Sequence, residues 1–239
     1  MHNIPLNNIL FLDIETVPCV SEYEYLDDRG RYFWDKKALK IAQSDNDTPE
    51  TLFGKAGIYA EFGKIVCISC GIIAADDSKT VLRIKSFYDD DEKQLLIDFA
   101  AMLNKSFNDD SKYLCAHNGK EFDFPYIARR MLINGINVPQ ILDSAGKKPW
   151  DIRHLDTMEL WKFGDYKHYT SLDLLTYIFN IPTPKDDIDG SQVGNVYWHD
   201  GDLPRIVTYC QKDVVAIVNL YLRFKVEPII EDINIHYLT

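Results

Sequence analysis

Ile9 to Leu12 form an unbroken apolar run that leads directly into Asp13, Ile14 and Glu15. So short a run reads as a buried strand, and side chains alternate along a strand. Ile9, Phe11, Asp13 and Glu15 therefore share one face, and Leu10, Leu12 and Ile14 share the other. Two ionised carboxylates ending a mostly buried strand are costly when dry and unpaired, and they repel one another. A divalent cation resolves both problems; a solvated strand end is the alternative. The spacing alone decides nothing. Asp90 and Glu92 share it inside an acidic run, where a polar helix start is expected and acids suit the helix dipole.

Two further segments place acids in similarly unfavourable surroundings. Asp123 lies between Phe122 and Phe124, after a short apolar strand at 113–117 and at the start of a helix over 123–134 that stops near Gly135. An N-cap aspartate is the plain reading; Asn118, five residues earlier, suits a turn or a substrate hydrogen bond. The third segment is the longest helix, 203–224, with Asp202 as N-cap and Pro204 in its first turn. Ile206, Cys210, Ile217 and Tyr221 trace its apolar stripe, and Asp213 falls on that stripe, with Tyr209 one turn before it. An inward-facing aspartate over two turns into a helix needs a partner. The Tyr169–Asp173 pair has the same spacing, but there Ser171 and Asp173 suit a helix start.

The remaining order is irregular polar chain with a helix near 35–43, a helix over 51–60, strands at 65–74 and 80–87 joined by a turn at 75–78, and a helix over 91–107 carrying Leu95, Leu96, Phe99, Met102 and Leu103. A strand-to-helix segment at 155–161, a helix over 171–179 and a loop over 183–201 complete it. This order predicts an α/β fold with a mixed sheet and helices on both faces. The chain has 239 residues, enough for a sizeable core in one domain. Segment 18–50 reads as an insertion within it, a mobile lid or a substrate-facing element. No apolar run reaches membrane-spanning length, and the first residues lack signal-peptide character, so an intracellular, cytoplasmic protein without membrane attachment is expected. The five cysteines include one Cys-x-x-Cys, Cys67 and Cys70, in an apolar strand with no second pair to complete a zinc site. They are expected to be small buried thiols. A net charge of −11 sits awkwardly with nucleic-acid binding unless the acids hold cations or the basic residues cluster.

Taken in order, Asp13 and Glu15, then Asn118 with Phe122 and Asp123, then Tyr209 with Asp213, resemble the three motifs of the DEDD exonuclease superfamily in its tyrosine-bearing form. Ser171 to Leu175 and Pro184 to Gly190 resemble further stretches of one branch, the stand-alone exonucleases similar to the proofreading domain of family-B DNA polymerases. The resemblance implies a ribonuclease H-like fold and 3′→5′ removal of nucleoside 5′-monophosphates, with roles in proofreading or repair. It implies two divalent cations, Mg²⁺ or Mn²⁺, on Asp13, Glu15, Asp123 and Asp213. Tyr209 is expected to position the attacking water, since a phenol with a pKa of about 10 is a poor base at neutral pH. Single-stranded DNA with a free 3′ end is the expected substrate, for a free-standing nuclease or a subunit serving a polymerase in trans.

An RNA exonuclease, a small-molecule phosphoesterase and a non-catalytic module of the same fold remain alternatives. Thr16, Asn118 and Phe122 are candidate contacts to the terminal nucleotide, with core packing the simpler role for Phe122. Arg129, Arg130, Lys162, Lys167 and Lys185 are candidates for backbone phosphates, each more simply a solvated surface charge. His117 and His168 are expected to be non-catalytic, because the third motif already supplies a tyrosine. Trp150, Trp161 and Trp198 are expected to pack, with base stacking as the other reading.

Overall fold

A computed structural model describes residues 4–76, 79–165, 169–182 and 187–238. Six strands form one mixed sheet: β1 (Ile9–Pro18), β2 (Gly63–Asp76), β3 (Lys79–Tyr88), β4 (Tyr113–Ala116), β5 (Leu155–Asp156) and β6 (Ile235–Leu238), in the order β5-β4-β1-β2-β3-β6. β1 lies centrally, antiparallel to β2 and parallel to β4. It is longer than expected, so Asp13 and Glu15 lie within the strand and not at its end. Just past Glu15 the register slips: Glu15 pairs with Cys67 but Thr16 with Ile65, leaving Val66 as a bulge. Bulges of this kind bend a strand and re-aim its side chains.

Helices cover both faces. α3 (Glu92–Ser106) and α4 (Asp123–Ile133) pack on Leu10, Leu12 and Ile14, whereas α8 (Leu203–Phe224) packs on Ile9 and Phe11. The two faces of β1 are thus divided as alternation requires. α8 comes down closely on β2 at Gly71, where a Cβ would meet Val214 Cγ1 at 2.9 Å. Glycine there lets the helix, and Asp213 with it, approach the strand that carries the acids.

Other elements depart from the sequence reading. The helix expected near 35–43 runs from Asp28 to Ile41 (α1) and starts at an Asp27 cap, because buried Trp34 and Ala38 extend its apolar side towards its start. The helix expected over 51–60 is a single turn, α2 (Pro49–Leu52), continued by a 3-10 segment, Phe53–Ile58. Leu26, Trp34, Leu52, Phe53 and Ala56 make a separate small core for these pieces. α5 (Thr157–Lys162) and α6 (Leu172–Ile178) form where expected. The loop expected over 183–201 contains α7 (Val193–Asn195) and a π turn at Val196–Asp200, held by Val193 and Val196 in the core beside Tyr209. Residues 77–78 of the expected turn, His168, Lys167 and Lys185 lie outside the described residues. Trp161 and Trp198 pack as expected, but Trp150 is 77% exposed, with the Lys148 ammonium 5.4 Å from its ring centre. Pro149 and a short 3-10 turn carry it away from the core. Among the described residues, no helix is long and apolar enough to cross a membrane.

Candidate active site

The sheet, α4 and α8 bring the sequence-predicted acids together. Asp13 and Glu15 point from β1 toward α8, which sets Asp213 and Tyr209 against them. α4 presents Asp123 from its first residue. Asp123 is not the expected N-cap, a position that Phe122 occupies without a side-chain hydrogen bond. Its carboxylate instead accepts from its own N–H and from the backbone N–H of Ile14, which ties the start of α4 to β1. Glu15, Asp123 and Tyr209 are buried, at 7%, 3% and 8% exposure, and Asp213 sits at 9%; Asp13 is half-buried.

The electrostatics follow from crowding like charges in a dry place. Burial, then Asp213, Glu15 and Asp123, hold the Asp13 carboxyl well above the ordinary carboxylate range. Burial and Asp213 do the same for Glu15, and burial pushes Asp123 up to about 7. Tyr209 hydrogen-bonds Asp213, and burial beside these acids raises its hydroxyl far above the ordinary tyrosine value. The phenol thus stays protonated and can donate to the carboxylate or to a bound water.

The second motif is held by a residue that the sequence reading passed over. Asp156 ends β5 at 2% exposure. Its carboxylate accepts backbone N–H groups from Asn118 (3.0 Å), Lys120 (3.1 Å), Met158 (2.9 Å) and Glu159 (3.3 Å). It thereby pins the loop that feeds Asp123 to the start of α5. An acid inside the expected strand-to-helix segment at 155–161 was the available signal, as an N-cap. Asn118 is left-handed, φ 63°, an uncommon conformation for a residue other than glycine, and its buried Oδ1 has no hydrogen-bond partner among the described residues. Gly119 is needed beside it, since a Cβ there would collide with Ala116 and sit 3.0 Å from Phe124 Cζ.

The other predicted contacts are already engaged. Thr16 hydrogen-bonds the Tyr126 hydroxyl, which also donates to Gly57 O at 2.7 Å. Phe122 packs on the core, its ring 5.4 Å from that of Tyr126. His117 donates Nε2–H to Thr170 O and accepts at Nδ1 from Thr157 Oγ1, both 2.9 Å, and burial lowers its pKa. It clamps Thr157 to the backbone at Thr170. Arg130 forms a two-pronged pair with buried Glu92 at 2.8 and 2.5 Å and donates to Ala60 O, so it braces α4 instead of facing solvent. Arg129 is exposed and Lys162 half-buried.

Cys67 and Cys70 fall on opposite faces of β2: Cys70 joins the α3 side and Cys67 the α8 side. They cannot chelate together. Cys67 instead hydrogen-bonds Cys210, whose thiol lies 3.4 Å from both Asp13 O and Asp13 Oδ2. This thiol pair beneath the acids was not foreseen, because it depends on the β1–β2 register and on the docking of α8.

No curated protein matches the chain. Among solved structures, the family B DNA polymerase of the archaeon Pyrobaculum calidifontis matches with a TM-score of 0.54 over 92% of this chain, at 15% sequence identity. The match covers 24% of the polymerase, so the chain spans about a quarter of its length, and the likeness is one of fold, ribonuclease H-like. Residues 58–228 match a family model, a segment that includes Asp123, Tyr209 and Asp213 and leaves Asp13 and Glu15 before it. With the greater part of its length matched, the chain belongs to the family described as predicted 3′→5′ exonucleases related to the exonuclease domain of PolB.

Proposed function

We propose that the protein is a metal-dependent 3′→5′ exonuclease that hydrolyses phosphodiester bonds at the 3′ end of single-stranded DNA, releasing nucleoside 5′-monophosphates. The observation that carries this reading is the convergence of Asp13, Glu15, Asp123 and Asp213 at one place, with Tyr209 hydrogen-bonded to Asp213. The whole chain is taken as one exonuclease domain with 18–50 as its insertion.

The donor set fits hard divalent cations. It consists of carboxylate oxygens, which suit Mg²⁺ or Mn²⁺. Glu15, though buried, accepts no hydrogen bond from the described residues, so a cation is the partner its charge lacks. Two such ions, held by Asp13, Glu15, Asp123 and Asp213, would supply activation of the attacking water and charge stabilisation of the scissile phosphate and its leaving oxygen. Asp13, which feels the charge of all three other acids, would serve both ions. Tyr209 orients the water by donating from its hydroxyl. Asp156 holds the Asn118–Lys120 loop that leads into Asp123.

Digestion of matched 5′-labelled DNA and RNA strands, with identification of the released products, tests the substrate. Mononucleotides carrying 5′-phosphate from DNA, at a higher rate than from RNA, are expected. Faster release from RNA would move the assignment to an RNA exonuclease, and no release from either would leave the binding module.

A further inference from the structure

The acids of the site have a second set of neighbours that the nuclease reading does not use. The β1–β2 register places Cys67 directly opposite Glu15, on the same face of the sheet. α8 lowers Cys210 onto that face, where its sulfur sits 3.4 Å from Asp13 Oδ2 and is hydrogen-bonded to Cys67. One carboxylate oxygen from each of Asp13 and Glu15 and the Cys210 sulfur all lie within 4.8 Å of one another. In a tetrahedral zinc site, with Zn–S near 2.3 Å and Zn–O near 2.0 Å, sulfur and oxygen ligands stand about 3.5 Å apart. The Cys210–Asp13 separation already has that value. Glu15, 7% exposed and without a hydrogen-bond donor among the described residues, supplies a buried carboxyl with no protein partner.

We propose that Asp13, Glu15 and Cys210 form a thiophilic cation site beneath the carboxylate cluster, one that takes Zn²⁺ or Cd²⁺ and, by occupying Asp13 and Glu15, arrests the nuclease. Softness separates the two uses of the same acids. Hard cations use the oxygens, including Asp123 and Asp213. A borderline or soft cation gains the sulfur as well. On binding, the Cys210 thiol gives its proton to solvent, and the Cys67 S–H is left to donate to the resulting thiolate. The arrest rests on the nuclease reading above; the binding does not.

The test is a Cd²⁺ titration of the full chain carrying Cys19→Ser, which removes the exposed thiol. Thiolate-to-cadmium absorption in the ultraviolet and equilibrium dialysis are followed together. One equivalent should bind with a charge-transfer band, and excess Mg²⁺ should weaken the binding by competing for Asp13 and Glu15. Cys210→Ser should abolish the band and weaken binding at least about tenfold. Asp13→Asn, which leaves every thiol in place, should weaken binding by a similar factor and guards against misfolding of the cysteine variant. Cys70→Ser, on the opposite face, should leave the titration unchanged. Absence of the band, its survival in Cys210→Ser, or binding indifferent to Asp13→Asn would overturn the site. Zn²⁺ should inhibit Mg²⁺-supported digestion of labelled DNA; undiminished digestion with the site filled would overturn the arrest. A protein inactive under every cation but showing the band would refute the nuclease reading and leave the cation site standing.

Discussion

His154 offers a test of how the fold holds the second motif, through its response to acid. The ring is 8% exposed, edge-on to Phe124 with centroids 5.3 Å apart. Its Nδ1 accepts the backbone N–H of Leu114 at 3.2 Å, and its Nε2 faces Ile141 O at 2.7 Å. A carbonyl only accepts, so Nε2 carries the proton and Nδ1 must be bare. Burial opposes the charge, and the pKa falls from the ordinary 6.5 to about 4; protonating Nδ1 would also set N–H against the Leu114 N–H. The native state therefore binds fewer protons here than the unfolded chain. The stabilisation is complete above pH 6.5 and is lost as pH falls towards 4. The gap between those values corresponds to about 3 kcal/mol in total, of which about 2 kcal/mol is gone by pH 5. The assay is urea unfolding of the protein and of His154→Gln at pH 7.5 and pH 5, where the difference between the two removes the effect of other titrating groups. The parent should lose about 2 kcal/mol more than the variant over that interval. Parallel pH dependences would refute the bare-Nδ1 assignment.

Three other outcomes follow from the geometry. Asp123→Asn keeps an acceptor for Ile14 N–H but removes one charge from the crowded acids, so in EDTA at pH 8 its thermal midpoint should exceed that of the parent; a lower midpoint would contradict the like-charge picture. Arg130→Ala strands the buried Glu92 carboxylate and should cost about 3–5 kcal/mol in urea unfolding, against less than about 1 kcal/mol for exposed Arg129→Ala. Tyr209→Phe removes the hydroxyl that hydrogen-bonds Asp213 and should lower kcat more than it raises KM in DNA digestion; a change confined to KM would assign Tyr209 to substrate binding.

Much of the fold was legible because its periodicities are strong. β1 and α8 each carry acids on an otherwise apolar face, and burial by the opposing element is what makes those acids stand out. Of the decoys of equal spacing, Asp173 is exposed in the first turn of α6, whereas Glu92 is buried and answered by Arg130. What was not legible depends on long-range geometry. β6 is short and largely exposed, so it has no burial alternation to betray it; it is fixed from outside, through pairing with β3 and through Asn219, whose side chain bonds Ile230 in both directions. Asp156 looks like any helix cap until four N–H groups from two segments are seen on it. Arg130 and Glu92 read as surface charges because their pairing joins residues 38 positions apart. Trp150 was misread because apolar character alone does not distinguish a core ring from one carried outward by a proline turn.

The central claim is that the converging acids perform metal-dependent hydrolysis from a 3′ end. The most direct test incubates the purified protein with 5′-labelled single-stranded DNA in Mg²⁺ or Mn²⁺, beside an EDTA arm and the Asp13→Ala variant. A ladder shortening from the 3′ end, lost in EDTA and in a variant that still unfolds cooperatively, is the predicted result. A ladder that persists in EDTA or in Asp13→Ala would contradict the account.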